Sequence, residues 1–205
     1  MIIQGSAEWF ESRRGCVGAS GIADVMAKGK TGGSSATRTN YMMKLLCERM
    51  TGVSEEGFTS AAIQRGTELE PLARSAYEVE TGHIVEECGF IMHPTIAKAG
   101  ASPDGLVLHN GLVEIKCPNT ATHVEFIRTG KPAREYQLQM LFQMACTGRE
   151  WCDFVSFDNR MPEPLQLRMV RFNRDDGRIA EIEAEVKTFL EELTALVAEM
   201  KGYMK

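Results

Sequence analysis

The feature that most constrains this sequence is a predicted β-hairpin over residues 102–117. Two short runs of strand-forming apolar residues flank an Asn-Gly pair, which is a strong signal for a tight turn between antiparallel strands. Asp104 precedes the first run, Glu114 lies inside the second, and Lys116 ends it. Charged side chains destabilise a buried strand unless they are paired or bind a metal, so the hairpin indicates a functional site.

The register of this hairpin decides whether the three charged side chains share a face. Alternation along a strand puts Glu114 and Lys116 on the same face. A two-residue turn would pair Asp104 with Cys117 and would place the Asp104 side chain on the opposite face. A three-residue loop with Gly111 in the left-handed conformation would instead pair Asp104 with Lys116. We expect this longer loop, or a local twist with the same effect, because only this arrangement gathers all three side chains.

Two carboxylates beside an ammonium group are suited to bind a hard cation, Mg²⁺ or Mn²⁺. Such a cation can polarise a phosphodiester and lower the pKa of a bound water, and Lys116 could hold and activate that water. Asp104 followed by Glu114-x-Lys116 on adjoining strands resembles the motif of PD-(D/E)xK nucleases. A hairpin with two solvated acids is the plain alternative. The apolar neighbours of Glu114 and the Cys117-Pro118 pair that closes the strand favour the nuclease interpretation.

Composition narrows the remaining possibilities. The 205 residues suffice for one domain with a substantial core, and no linker or repeat divides them. No apolar run is long enough for a membrane span, and the first residues lack the pattern of a secretory signal. The six cysteines are scattered without a C-x-x-C pair. This spacing predicts free thiols in a reducing cytoplasm and argues against a zinc or iron–sulfur site.

The net charge of −5 is unfavourable for binding DNA phosphates, but the charge is unevenly distributed. Residues 1–50 carry seven basic and four acidic side chains, whereas residues 174–205 carry five basic and eight acidic ones. We therefore expect a basic surface near the N-terminal region and an acidic surface on the last helix.

An anion site is one interpretation of the N-terminal segment. Ser20 is a candidate N-cap of a helix that ends near Gly29, and Arg13 lies upstream of it. A helix N-terminus beside an arginine binds anions readily. Spacing alone also allows a surface loop with solvated arginines, so both interpretations stay open at this point.

Helices and strands alternate further along the chain. Residues 60–82 predict a long helix interrupted at Pro71, with Glu70 as a further candidate acid beside the interruption. Gln137 and Gln139 lie on a later helix but cannot share a face at that spacing, so we expect one of them at the site. The remaining predicted elements are strands over 84–92, 151–157 and 165–172, and an amphipathic C-terminal helix over about 174–201.

Five stretches together resemble one family, the phage lambda exonuclease and its YqaJ-type viral recombinase relatives. They agree with that family in order and spacing, and they span the chain from residue 9 to about 158. The stretches are W-F-E-S-R-R-G-C-V-G-A-S (9–20), R-G-T-E-L-E (65–70), S-P-D-G-L (102–106), V-E-I-K-C-P (113–118) and Y-Q-L-Q (136–139). The hairpin pair alone is moderately specific, whereas all five in sequence are highly specific.

The resemblance implies an α/β fold of the restriction-endonuclease type, with a central mixed β-sheet flanked by helices. We expect a single nuclease domain over residues 1–205, with its core over about 9–172. The resemblance also implies Mg²⁺-dependent digestion of linear duplex DNA from the 5′ end, with release of mononucleotides and a 3′ single strand. Two Mg²⁺ ions per site are implied, with Mn²⁺ as a substitute. The implied partners are DNA ends and a single-strand annealing protein, and the implied assembly is a ring-shaped homotrimer.

The resemblance also assigns roles to individual residues. The implied metal ligands are Asp104, Glu114, the Ile115 carbonyl and, for a second ion, Glu70. The other implied roles are water activation by Lys116, orientation of the site by Gln137 with Gln139 as the alternative, and binding of the terminal 5′-phosphate by Arg13 and Ser20. One departure is Gly18, where the compared family member has Thr and hence a hydroxyl that could contact phosphate.

Two other functions are compatible with the same fold. One is a metal-dependent endonuclease of the same superfamily, and the other is a non-catalytic module that binds DNA ends. The presence of both acids and the lysine argues against the binding module. Digestion of linear but not closed circular duplex distinguishes the exonuclease from the endonuclease.

Overall fold

The computed structural model describes residues 4–29, 33, 35–54 and 61–204, apart from the side chains of residues 62 and 63. Within these residues the helices are α1 (Ala7–Arg13), α2 (Ile22–Val25), α3 (Ala36–Thr51), α4 (Ala61–Thr81), α5 (Thr120–Thr129), α6 (Arg134–Thr147) and α7 (Asp176–Gly202). The strands are β1 (Val17–Gly18), β2 (Val85–Glu86), β3 (Ile91–Met92), β4 (Ala99–Ala101), β5 (Gly105–Val107), β6 (Gly111–Lys116), β7 (Trp151–Phe157) and β8 (Leu167–Asn173). Short 3₁₀ turns span Ala19–Gly21 and Glu163–Leu165.

A five-stranded mixed sheet in the order β2-β5-β6-β7-β8 forms the centre of the molecule. Only the β6–β7 pair in this sheet is parallel, because α5 and α6 carry the chain across between these two strands. A smaller sheet has the order β1-β4-β3. The central mixed sheet flanked by helices confirms the expected fold class. Within the described ranges, no helix combines the length and the apolar character that a membrane span requires.

The central sheet separates two apolar cores. On one face, Leu112 and Phe154 pack with residues of α2, α3, α6 and α7. On the other face, Val113 and Val155 pack against Tyr77 of α4. Alternation along β6 therefore directs the side chain of residue 114 toward the face that α6 covers. Charged residues of β6 thus meet α6 rather than solvent.

The hairpin register differs from the expected one by two residues. Val107 pairs with Gly111 and Leu106 pairs with Leu112, so the loop has three residues but begins and ends earlier than predicted. Continued by two residues, this register places Asp104 opposite Glu114, rather than opposite Lys116. A shift of two residues does not change the face to which a side chain points, so all three charged side chains still lie on one face.

Packing against the neighbouring strand explains this register. A Cβ on Gly111 would lie 2.1 Å from the ring of Trp151, so glycine is required here for close contact and not for a left-handed turn. The positive φ of 51° falls on Leu108 instead. Arg149 Nη1 donates to the carbonyls of Val107, Leu108 and Gly111, at 3.1, 3.0 and 2.6 Å. These hydrogen bonds stabilise a loop conformation that the sequence does not favour locally.

Three local predictions are wrong. The predicted strand over 84–92 is two short strands in different sheets, β2 and β3. Helix α4 continues through Pro71, and the packing of its later residues on the second core outweighs the local effect of proline. Ser20 is not an N-cap: it lies inside the 3₁₀ turn Ala19–Gly21, and Gly21 precedes α2.

Candidate active site

The hairpin brings Asp104, Glu114 and Lys116 together. Glu114 is fully buried, and the Lys116 Nζ lies 2.5 Å from its Oε1. Asp104 Oδ2 accepts a hydrogen bond from the backbone N–H of Ile115 at 2.6 Å, which ties the start of β5 to the end of β6. Two carboxylates and one ammonium group therefore occupy one place at the end of the central strand.

Two glutamines of α6 hold the Glu114 carboxylate. Gln139 Nε2 donates to Oε1 at 2.7 Å, and Gln143 Nε2 donates to Oε2 at 2.6 Å. Gln137, which we expected to orient the site, instead donates to the Pro132 carbonyl at 2.8 Å. In the structure, therefore, Gln139 and not Gln137 contacts Glu114, and it does so together with Gln143 because residues four apart on a helix share a face.

The pKa values of the site reflect its crowded negative charge. Burial and the nearby carboxylate of Glu114 raise the pKa of Asp104 well above its usual range. Burial alone would lower the pKa of Lys116, but the carboxylates of Glu114 and Asp104 raise it above its ordinary value. The site therefore places two closely spaced carboxyl groups beside a charged lysine, and an added cation would offset the repulsion between the two groups when both are ionised.

A cleft of about 720 Å³ opens beside these residues and is lined in part by Glu70, Ile115 and Lys116. Glu70 projects from α4 and accepts a hydrogen bond from Arg74 at 3.1 Å. Arg65 also lines the cleft, and its guanidinium donates to the buried Asp158 at 2.8 Å. The wall of the cleft thus combines the Glu70 carboxylate with the positive charges of Arg65 and Lys116, and Lys116 connects it to the buried Glu114.

The donor set can be compared with what a divalent cation requires. Among the described residues, no three His, Cys, Asp or Glu side chains form a ready metal-binding group. Asp104 and Glu114 nevertheless supply two neighbouring carboxyl groups, and Ile115, which lies between Glu114 and Lys116, lines the adjacent cleft. Mg²⁺ commonly uses one or two protein carboxylates and keeps several waters or substrate oxygens. The donor chemistry of these residues therefore fits a hard divalent cation such as Mg²⁺.

A second cavity, of about 670 Å³, contains Arg13, Gly18 and Ser20 in its wall. A Cβ built on Gly18 would lie 3.8 Å from Arg13 Nη2 and 3.9 Å from Ser20 Oγ, so the two side chains converge over the glycine. Burial lowers the pKa of Arg13, although an arginine stays charged in proteins. The structure thus brings Arg13, at the end of α1, together with Ser20, which lies in a 3₁₀ turn rather than at an α-helix N-terminus.

Trp9 contacts both Arg13 and the segment that precedes Asp104. The guanidinium of Arg13 lies 4.1 Å from the Trp9 ring centroid, and Trp9 Nε1 donates to Ser102 Oγ at 2.8 Å. Ser102 is two residues before Asp104. The orientation of Arg13 is therefore coupled through one indole ring to the chain segment that carries the first carboxylate.

Sequence reasoning missed two polar contacts of these cavities. Gln143 lies four residues after Gln139, and this spacing on an otherwise apolar helix was the available signal. The Tyr41 hydroxyl accepts a hydrogen bond from the N–H of Gly18 at 3.2 Å, and burial raises the pKa of Tyr41 to about 12. No local pattern indicates this long-range contact.

Solved structures with a similar fold carry related activities. The alkaline exonuclease LHK-Exo from Laribacter hongkongensis aligns with a TM-score of 0.91 and 57% identity, over 97% of this chain and 98% of that chain. LHK-Exo in complex with dAMP aligns with a TM-score of 0.92 at the same identity and coverage. A phage-related exonuclease from Haemophilus somnus 129PT shares the fold at 18% identity and a TM-score of 0.70, over 90% of this chain and 96% of that chain. Proteins with curated descriptions gave no match.

The sequence also matches a family model. The description of that model is YqaJ-like viral recombinase domain, and the match covers residues 8–150, which is more than half of the chain. This range includes the charged hairpin, both glutamines that hold Glu114, and the segment with Arg13 and Ser20. The match and the 57% identity to a solved structure over nearly the whole chain agree with each other. This chain therefore belongs to the family of YqaJ-like viral recombinases.

Proposed function

We propose that this protein is a Mg²⁺-dependent 5′→3′ exonuclease that degrades one strand of linear duplex DNA to 5′-mononucleotides. The observation that carries the proposal is the grouping of Asp104, Glu114 and Lys116 at the end of one buried strand, beside an open cleft. The 57% identical relative is an alkaline exonuclease, and its solved complex with dAMP contains a mononucleotide. That relative supports an exonuclease that releases single nucleotides.

Each residue of the site has a definite task in this proposal. Asp104 and Glu114 hold the cation, which when bound supplies the Lewis acid that polarises the scissile phosphodiester. Glu70, across the cleft, helps to hold a second ion. Lys116 binds the attacking water and stabilises negative charge that develops on the phosphate. Mn²⁺ is expected to substitute for Mg²⁺ because both accept oxygen ligands.

Arg13 and Ser20 are proposed to hold the terminal 5′-phosphate in the second cavity. A phosphate dianion is bound well by a guanidinium, which donates two parallel charge-assisted hydrogen bonds. A fixed 5′ end would place the next phosphodiester over the cation and so define the direction of digestion. We also propose that the protein acts as a ring-shaped homotrimer and passes its 3′ single strand to an annealing protein.

The function is tested with one plasmid in two forms, closed circular and linear, incubated with Mg²⁺ or with EDTA. We expect steady loss of the linear duplex, release of mononucleotides and survival of the circle, all dependent on Mg²⁺. Cutting of the circle would instead support the endonuclease. Binding to ends without Mg²⁺-dependent loss of either form would support the non-catalytic module.

Preference for a 5′-phosphate is the expected signature of the second cavity. Duplex with a 5′-phosphate should be digested faster than duplex with a 5′-hydroxyl, and Arg13→Ala should reduce this ratio by about 10- to 100-fold. Hydrogen bonds to a charged group are worth about 1.5–3 kcal/mol, which sets that range. Digestion of the 5′-hydroxyl duplex should change little. The ratio is measured from initial rates on end-labelled duplexes.

Arg14 provides the matched control for loss of positive charge. Its Nη1 donates to Glu11 at 3.1 Å, and its side chain does not line the second cavity. Arg14→Ala should therefore preserve the preference for a 5′-phosphate. If Arg14→Ala removes the preference and Arg13→Ala does not, the assignment is off by one residue. If the parent protein ignores the 5′-phosphate, the cavity has another role.

A further inference from the structure

We propose that Gln143 is a positioning residue of the catalytic site, which holds the Glu114 carboxylate in the orientation that binds the divalent cation. The inference rests on the proposed function. Gln143 lies on α6, one helical turn after Gln139, and is fully buried. Its Nε2 donates to Glu114 Oε2 at 2.6 Å, and Glu114 is itself fully buried. Both partners of this hydrogen bond are thus shielded from water, which strengthens the interaction.

The hydrogen bond from Gln143 limits where a cation can approach the Glu114 carboxylate. An ionised carboxylate offers about four lone-pair directions, two on each oxygen. Gln139 and Lys116 occupy two on Oε1, and Gln143 occupies one on Oε2. The direction that remains for a cation is therefore on the oxygen that Gln143 holds. Rotation of the carboxylate would change this direction, and Gln143 opposes that rotation.

The other end of the Gln143 amide supplies an independent observation. Its Oε1 is buried and has no hydrogen-bond partner among the residues that the structure describes. An unsatisfied buried polar atom destabilises the fold, and a leucine or methionine of similar volume would avoid this cost. Reversing the amide would direct Oε1 at the Glu114 carboxylate and produce repulsion. The presence of a glutamine at this buried position is thus explained by its hydrogen bond to Glu114, and not by a contribution of the side chain to packing.

The experiment measures Mn²⁺ binding without DNA, by isothermal titration calorimetry, for the parent protein and for Gln143→Leu. Removal of a group that orients a metal ligand typically weakens metal binding by about 10- to 100-fold, and we expect a loss in this range. In assays of linear duplex digestion, the Mg²⁺ concentration needed for half-maximal rate should rise correspondingly. The KM for DNA at saturating Mg²⁺ should stay near the parent value.

Further variants separate positioning from general loss of stability. Gln143→Asn keeps an amide but is one methylene too short to reach Glu114, so it should weaken Mn²⁺ binding in the same way even if Gln143→Leu fails to fold. Leu141→Ala creates a cavity on the same helix, where Leu141 is fully buried and belongs to the apolar core. It should lower the thermal midpoint without weakening Mn²⁺ binding.

The two proposals fail in different ways. If the folded Gln143 variants bind Mn²⁺ as tightly as the parent, Gln143 is a structural residue and the inference is overturned, whatever the activity of the parent. If the parent binds Mn²⁺ and the Gln143 variants bind it more weakly, the inference stands. Failure of the parent to digest linear duplex would then overturn the proposed function alone.

Discussion

Asp104→Asn is expected to lower the rate of linear duplex digestion by at least roughly 1000-fold, because it removes one of the two anionic ligands proposed for the cation. Lewis-acid stabilisation is worth several kcal/mol of the barrier, and about 1.4 kcal/mol corresponds to a tenfold change in rate. The asparagine can still accept the 2.6 Å hydrogen bond from Ile115, so the hairpin should be preserved. Glu114→Ala should abolish digestion as well, with the fold retained.

The stability of Asp104→Asn distinguishes loss of chemistry from unfolding. Asp104 and Glu114 repel each other in a buried setting, as the raised pKa of Asp104 indicates. Removing one of these charges should leave the thermal midpoint of the metal-free protein equal or higher, while activity is lost. Glu86→Gln, an exposed acid on β2 of the same sheet, is the matched control and should keep parent activity. Parent-level digestion by Asp104→Asn would show that the active site lies elsewhere.

Lys116→Ala is expected to lower turnover by roughly 100- to 1000-fold, the range seen when one preorganised electrostatic group is removed from a transition state. Affinity for Mn²⁺ should be unchanged or higher, because the lysine ammonium contacts the same Glu114 oxygen that Gln139 binds. Lys116→Arg should restore little, since a planar guanidinium places its charge and its donors differently. Turnover and Mn²⁺ affinity are measured on the same preparations.

The comparison of these two quantities decides the role of Lys116. A parallel fall in Mn²⁺ affinity and turnover would make the lysine a structural partner of the carboxylates. Lys187→Ala, which removes an exposed positive charge on α7, should change neither quantity. DNA binding without metal should weaken only slightly in Lys116→Ala, because many other phosphate contacts contribute to affinity.

The sequence predicted the hairpin, the shared face of its charged residues and the fold class, since each depends on short-range alternation or on motifs in fixed order. The register was predicted wrongly because it depends on Trp151, forty residues beyond Gly111, whose ring occupies the space of a missing Cβ. Asn-Gly signals a turn, but packing from another strand fixed where that turn begins. Local turn chemistry does not contain this information.

The sequence did not decide between Gln137 and Gln139 as the glutamine that faces Glu114, for a related reason. The faces of a helix are known from spacing, but which face meets the sheet depends on how the helix docks. The pair Gln139 and Gln143, four residues apart, was a signal that Gln137 lacks, since Gln137 has no glutamine partner at that spacing. Pro71 is the opposite case. Proline strongly predicts an interruption of the helix, but packing of α4 on the sheet outweighs this local preference.

The connection between β6 and β7, which contains α5 and α6, determines at what stage of folding the site is assembled. Glu114 and the two amides that bind it are separated by 25 and 29 residues, so these hydrogen bonds form only after α6 has docked on the sheet. Until then the chain can form its local hairpin, but the carboxylate lacks the partners that fix its orientation. A nascent or partly folded chain therefore contains Asp104, Glu114 and Lys116 without the contacts that order them, and we expect the proposed nuclease site to be complete only after this connection has folded.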